Sequence, residues 1–357
     1  MKNYLKLSLA AIAIWLPLSS AQAEDAKARL MFSDQSQEDV IVLSYKTGIL
    51  TYKLTPQDLN IARVRAPRLE SIYFIQPKIF IEAMSLYNGR KYAEAKVKFE
   101  ECEKMFKAMD TAPNNYSSLA GFYKMECSRR MFDFSALSQE MEKYLKTGLT
   151  RETHLQQLEV NAFWEAVRLK DWDRLDRLAQ AWKKRKVTGA QRAQISYCHG
   201  LALDNLSKED PNQIPKALIA YNSVMSADFT ASVELVVNAA SNALALYDRD
   251  EGVKQAIRFW KTEDENPNSV GYLRLMEAHA LVKLYKQAGF DKVLPLKATH
   301  TKFQKYAPSN DGITAAPKPK AKEAPAEKPK AKKPAAKKPG AKKPGAKNPA
   351  AKKKPNS

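Results

Sequence analysis

The chain has 357 residues, with 59 Lys and Arg against 39 Asp and Glu, a formal net charge of +20. Hydrophobic residues make up 44%, enough to build a core, and at 27% charged the chain is not disordered throughout. Twelve Gly argue against a glycine-rich nucleotide fold or a many-turned β-sandwich, and three Cys exclude a disulfide-dense mini-scaffold.

A charge of +20 suggests a nucleic-acid binder until it is located along the chain. Residues 313–357 hold fifteen Lys and two acids, a net of +13, and the first 23 residues carry only Lys2 and Lys6. Residues 24–312 hold 42 basic and 37 acidic residues, a net of +5. The basic character belongs to the C-terminal tail.

In chain order, residues 1–23 read as a signal peptide. Lys2 and Lys6 form a basic start, Leu7 to Leu18 an apolar stretch, and Ala21-Gln22-Ala23 a small-residue cleavage site before Glu24. Cleavage after Ala23 and export to the periplasm or the medium are expected, without a lipid anchor, because no Cys follows the cut. No later segment resembles a transmembrane helix.

Residues 24–74 read as a small β element. Val40 to Tyr45 and Ile49 to Leu54 are β-branched and aromatic runs around Lys46-Thr47-Gly48, a hairpin signal, and Ile61 to Arg65 adds a third short strand before Pro67. So small a sheet cannot stand alone in water and is expected to cap the helices that follow. An exposed strand edge there could also receive a partner peptide.

Residues 75–306 alternate helical stretches with short polar breaks. Ala95, Phe99, Cys102, Phe106 and Met109 recur at helical spacing, as do Val233, Val237, Ala240, Leu244 and Tyr247. Such helices, joined by short breaks, pack as antiparallel pairs. Residues 307–357 form the tail, an Ala/Lys/Pro repeat from about Ile313 that is expected to be disordered and rich in polyproline II.

The breaks between helices share a frame. Asn88 to Lys91 precede Tyr92, with Ala95 and Phe99 three and seven residues on, and Ala83 lies late in the preceding helix. The frame recurs at Phe134, Leu137 and Met141, then at Trp172, Leu175 and Ala179. It continues at Ile214, Ala217 and Tyr221, then at Val253, Ala256 and Trp260, with a weaker copy from Phe290. This resembles the tetratricopeptide repeat, although the 37–42-residue spacing of the anchors exceeds that family's period of about 34 residues. The fold class expected is an all-α solenoid of about six antiparallel helix pairs, with a β-hairpin or three-stranded element in front and a disordered tail behind.

The resemblance implies a ligand lying against the first helices of successive pairs. Carried over residue by residue, it points to Tyr87, Phe122, Arg129, Arg130, Trp164, Arg168 and Tyr197 on a concave face. Aromatic rings beside arginines suit extended peptide segments. The same stacking makes Cys102 and Cys127 neighbours, either as a disulfide or as two small buried residues, with Cys198 an unpaired core thiol.

No phosphate-binding loop and no nucleophile elbow occurs, and His154, His199, His279 and His300 are far apart in sequence. No cofactor, metal or small-molecule substrate is expected, and no enzymatic activity. The expected function is an exported scaffold that binds a protein or peptide on its helices and an anionic envelope surface or polyanion through its tail. The alternative is a polyanion- or nucleic-acid-binding protein that acts through the lysines of the tail, which lacks the aromatic residues and Arg needed to stack on or read bases.

Overall fold

The computed structural model describes residues 25–228 and 232–307. The signal peptide expected over 1–23 and, but for its first residue, the tail expected over 307–357 lie outside them. No helix among the described residues is long and apolar enough to cross a membrane.

The N-terminal region is a five-stranded antiparallel sheet. Its strands are β1 (Lys27–Phe32), β2 (Gln37–Lys46), β3 (Ile49–Lys53), β4 (Ala62–Arg65) and β5 (Leu69–Phe74), in the order β4-β3-β2-β1-β5. The hairpin read from sequence is β2–β3. Its loop, Thr47-Gly48, has φ of +49° and +73°, the two-residue geometry whose twist matches the strands it joins. The third expected strand is β4. Strands β1 and β5 were not anticipated, and they correct the expected fold class: the molecule is a mixed sheet-and-helix structure, not an all-α solenoid. The physical reason is pattern length. Only Ala28 and Leu30 of β1 are fully buried, and no residue of β5 is, so neither strand shows a long alternation.

One face of the sheet is apolar. Ala28, Leu30, Val40, Val42, Leu50, Tyr52 and Val64 share a core with Phe80 and Ala83 of α1 (Lys78–Asn88) and with Tyr92, Ala95, Phe99 and Cys102 of α2 (Tyr92–Met105). The helices continue as α3 (Tyr116–Arg130), α4 (Phe134–Lys143), α5 (Glu152–Leu169), α6 (Trp172–Trp182), α7 (Gly189–Leu206) and α8 (Ile214–Ala227). They end with α9 (Val233–Arg249), α10 (Glu251–Arg258), α11 (Val270–Gln287) and the short α12 (Ala298–Thr301). Helices adjacent in sequence pack on one another from α1·α2 to α10·α11, and α12 packs on α9.

The anchors of the sequence frame fall where second helices begin. Tyr92, Phe134, Trp172 and Ile214 are the first residues of α2, α4, α6 and α8, Val253 is the third of α10, and Phe290 opens a 3-10 turn, Phe290–Lys292. Three of the turns share one build. Arg90, Phe132 and Lys170, each two residues before its anchor, have φ near +60° and end the first helix. Asp133 and Asp171 then cap the second helix by accepting from the N–H of Ala136 and Arg174. The third and seventh residues after the anchor turn inward, as with Ala95 and Phe99, Leu175 and Ala179, or Ala217 and Tyr221, all buried.

Helix α3 is the shared wall of two cores. Ala120 and Cys127 face the sheet-side core, while Met125 belongs to the larger core that runs on through α11.

Candidate functional site

The seven residues expected on a concave face are placed mostly inside the protein. Phe122 is buried and stacks on His154 with ring centroids 4.5 Å apart. Trp164 stacks on the anchor Phe134 at 5.0 Å and donates from Nε1 to Gln194 Oε1 at 3.0 Å. Tyr197 is buried between Trp164 and Tyr221. Tyr87 is half-buried, with its ring edge-on to Tyr92 and Tyr123.

Arg129 is buried in a two-point pair with Glu126, at 2.9 and 2.6 Å. Burial opposes charge on both groups. The pairing nevertheless holds the Glu126 carboxyl below the usual carboxylate range and raises the Arg129 guanidinium. Arg130 lies over the rings of Tyr87 and Tyr92, 5.7 and 6.0 Å from their centroids, and 4.0 Å from Glu234 of α9. Only Arg168 is exposed, paired with Glu165 one turn away. The expectation of an open ligand face made by these seven is therefore corrected: the rings fill the spaces between first helices and second-helix anchors, where removal from water stabilises them most.

Cys102 and Cys127 are buried thiols and not a disulfide, and Cys198 is a third buried thiol. Burial pushes the Cys127 thiol up to about 12 and that of Cys198 well above its ordinary value, so neither is a nucleophile near neutral pH. The four histidines have separate surroundings. His199 bonds Asp176 at 2.9 Å, His279 bonds the Phe303 carbonyl, His154 stacks on Phe122, and His300 is buried against α9. Among the described residues no cluster of three or more His, Cys, Asp or Glu could hold a metal.

What the structure does assemble is a groove of about 580 Å³ between β5 and the loops that lead into α3 and α5. One wall is the strand, from Glu70 to Phe74. Among the described residues β5 pairs only with β1, so its far side is a sheet edge. The Ile75 N–H donates to the Lys27 carbonyl across the sheet at 2.8 Å. The alternation of a strand then turns the N–H and C=O of Ile72 and Phe74 away from β1, toward the open edge.

The opposite wall is a stitched pair of loops. Asn114 N–H donates to the Gly148 carbonyl at 2.9 Å, and the Thr150 hydroxyl donates to Asn114 Oδ1. Asn115 is buried. Its Oδ1 accepts from Ser118 N–H at 2.8 Å while its Nδ2 donates to the Ala112 carbonyl at 2.6 Å. Gly148 is required at this crossing, because a Cβ there would run into Ser118 Oγ and Asn115 Nδ2. The wall is thus held by side-chain bonds at fixed positions.

Charge in the groove has one sign on this wall. Arg151 stands exposed at the start of α5 and makes no ion pair among the described residues. α3 also begins here, so two helix N-termini add partial positive charge. His154 lines the groove, but burial and the nearby Arg151 hold its pKa below the ordinary value of 6.5, so it is neutral at pH 7. Glu70, on the strand side, is the only carboxylate lining the groove among the described residues. A polypeptide in extended form would meet main-chain partners at β5, apolar contacts at Phe74 and Leu119, and an anion site at Arg151.

Sequence reading placed an open strand edge in this region without identifying the strand. The signal for β5 was the run Leu69 to Phe74, with its Ile, Tyr and Phe between Pro67 and Pro77. Nothing local marks Arg151. Its place in the groove comes from the approach of residues 148–154 to a strand some eighty positions earlier. No protein-family model matches the chain, and searches among curated proteins and solved structures return no similar protein.

Proposed function

We propose that this chain is an exported, non-catalytic binding scaffold that takes an extended segment of a protein partner as an added strand on β5. The observation that carries this is the open β5 edge facing a groove whose far wall is pre-built and locally positive. Main-chain bonds to the outward groups of Ile72 and Phe74 would supply affinity, and Arg151 would select an acidic side chain or a terminal carboxylate. The helix pairs, which resemble tetratricopeptide repeats in the placing of small and aromatic residues around their turns, form a stiff frame that holds α3 and α5 against the sheet. The expected leader would place the protein in the periplasm or the medium. The Lys-rich tail would hold it near anionic surfaces, in a salt-dependent manner.

The test is equilibrium binding of a dye-labelled heptapeptide of alternating valine and serine ending in a free glutamate. The charge-reversing variant Arg151→Glu sits at an exposed position and should fold normally. A charge-assisted hydrogen bond contributes roughly 1.5–3 kcal/mol, so the variant should bind at least tenfold more weakly. Equal affinity in the two proteins would remove Arg151 from the site.

A further inference from the structure

A second trough, of about 980 Å³, lies elsewhere in the molecule. Its floor is one face of α7, from Arg192 through Ile195, His199 and Leu203 to Leu206, and its walls are α6 and α8. From Arg192 to Leu206 the floor is about 21 Å long at 1.5 Å per residue, or roughly four helical turns. We propose that this trough is the docking site for an acidic amphipathic helix of a protein partner.

Three features select a helix. All three sides are helices, whose main-chain groups are bonded internally, so the trough offers no edge to an extended chain and its occupant must satisfy its own backbone. The walls carry small side chains, Ala179 on α6 and Ala220, Ser223 and Ala227 on α8, which let another helix approach closely. The hydroxyls of Ser223 and Ser226 are turned back onto the Ile219 and Ser223 carbonyls, at 2.7 and 3.2 Å, and so place no polar demand on the occupant.

Apolarity and charge then define the occupant further. Ile195 and Leu203 lie in the floor, and Ile219 on the rim is 67% exposed, a large aliphatic side chain with one face uncovered. The charged residues of the lining are Lys183, Arg192 and Lys216 against Asp176, and Asp176 is already bonded to His199. Lys184 and Lys186, which follow Lys183 closely in sequence, are also exposed. A helix with leucines on one side and glutamates flanking them complements both properties.

The test uses the full-length chain and a labelled 18-residue peptide with four leucines on one face and glutamates elsewhere, beside a version broken by two central prolines. The C-terminal lysines also attract glutamate, so the readout is the difference between protein variants that share the same tail. Ile219→Asp places a charge on the exposed rim, and Ser223→Trp fills the trough from its α8 wall. Each should weaken the helical peptide at least tenfold and leave the residual binding of the proline-broken peptide unchanged. Equal binding of the helical peptide by wild type and both variants would overturn the proposal. So would a dimer of the wild-type chain in sedimentation that Ile219→Asp dissociates, since the trough would then hold a second copy.

Discussion

Arg129 and Glu126 are buried together one turn apart on α3, and their charged groups are bonded directly to each other. Removing one partner strands the other charge in the interior, which typically costs about 3–5 kcal/mol. Arg129→Met should therefore lower stability by about that much in urea titrations. The double change Glu126→Leu with Arg129→Met should recover most of the loss, because a buried pair and an apolar pair of similar volume are often equivalent. Gly148 acts through space and not through charge. Gly148→Ala should cost about 1–3 kcal/mol, as overpacking does, and the loss should appear as faster hydrogen exchange at Asn114, whose N–H bonds the Gly148 carbonyl.

His154 gives the residue scale its pH dependence. Its pKa is lowered by burial and by Arg151, against a smaller opposing pull from Glu126. The unfolded chain therefore takes up the proton first as pH falls below 6.5, and folding becomes less favourable from there down to the lowered folded value. Melting temperature should fall between pH 7 and pH 5. His154→Phe, which keeps the stack on Phe122, should flatten part of that slope. His300, lowered by burial in the same direction, accounts for a remainder.

At the scale of elements, the helix pairs were legible because each second helix announces itself locally. An anchor at its start, apolar residues three and seven positions later, and an aspartate cap before Phe134 and Trp172 are all local signals. Phe99 shows what such a position contributes. It is fully buried against Phe80 and Tyr123, and Phe99→Ala should cost about 3–5 kcal/mol, whereas Arg168→Ala, exposed and paired only along its own helix, should change stability by less than about 1 kcal/mol. Thermal melts of the two variants compare these directly. β1 and β5 were not legible because each is short and shows little buried alternation, with only Ala28 and Leu30 of β1 and no residue of β5 fully buried. Leu30 is fully buried because its face of the sheet shares one core with Phe80 and Phe99 of the helices that follow. The ligand-face residues were misread for a different reason. The repeat frame put these residues on the first helices as a ligand face, whereas the aromatics there serve packing, as the stack of Trp164 on Phe134 shows.

At the scale of the whole molecule, α3 joins the sheet-side core to the helical core, so the loops at the starts of α3 and α5 are held at a fixed approach to β5. That approach makes the groove, and no segment of the sequence contains it. The charge distribution reads the same way at this scale. The large excess of lysine lies in 313–357, whereas recognition in the folded body is proposed to rest on a single arginine beside an open strand. The most direct measurement of that claim is amide hydrogen exchange at Ile72 and Phe74, with and without the valine–serine heptapeptide at saturation. Strand addition predicts at least tenfold slower exchange at both amides, lost again in Arg151→Glu at the same peptide concentration. A peptide that binds while both amides keep exchanging at their free rates would contradict it.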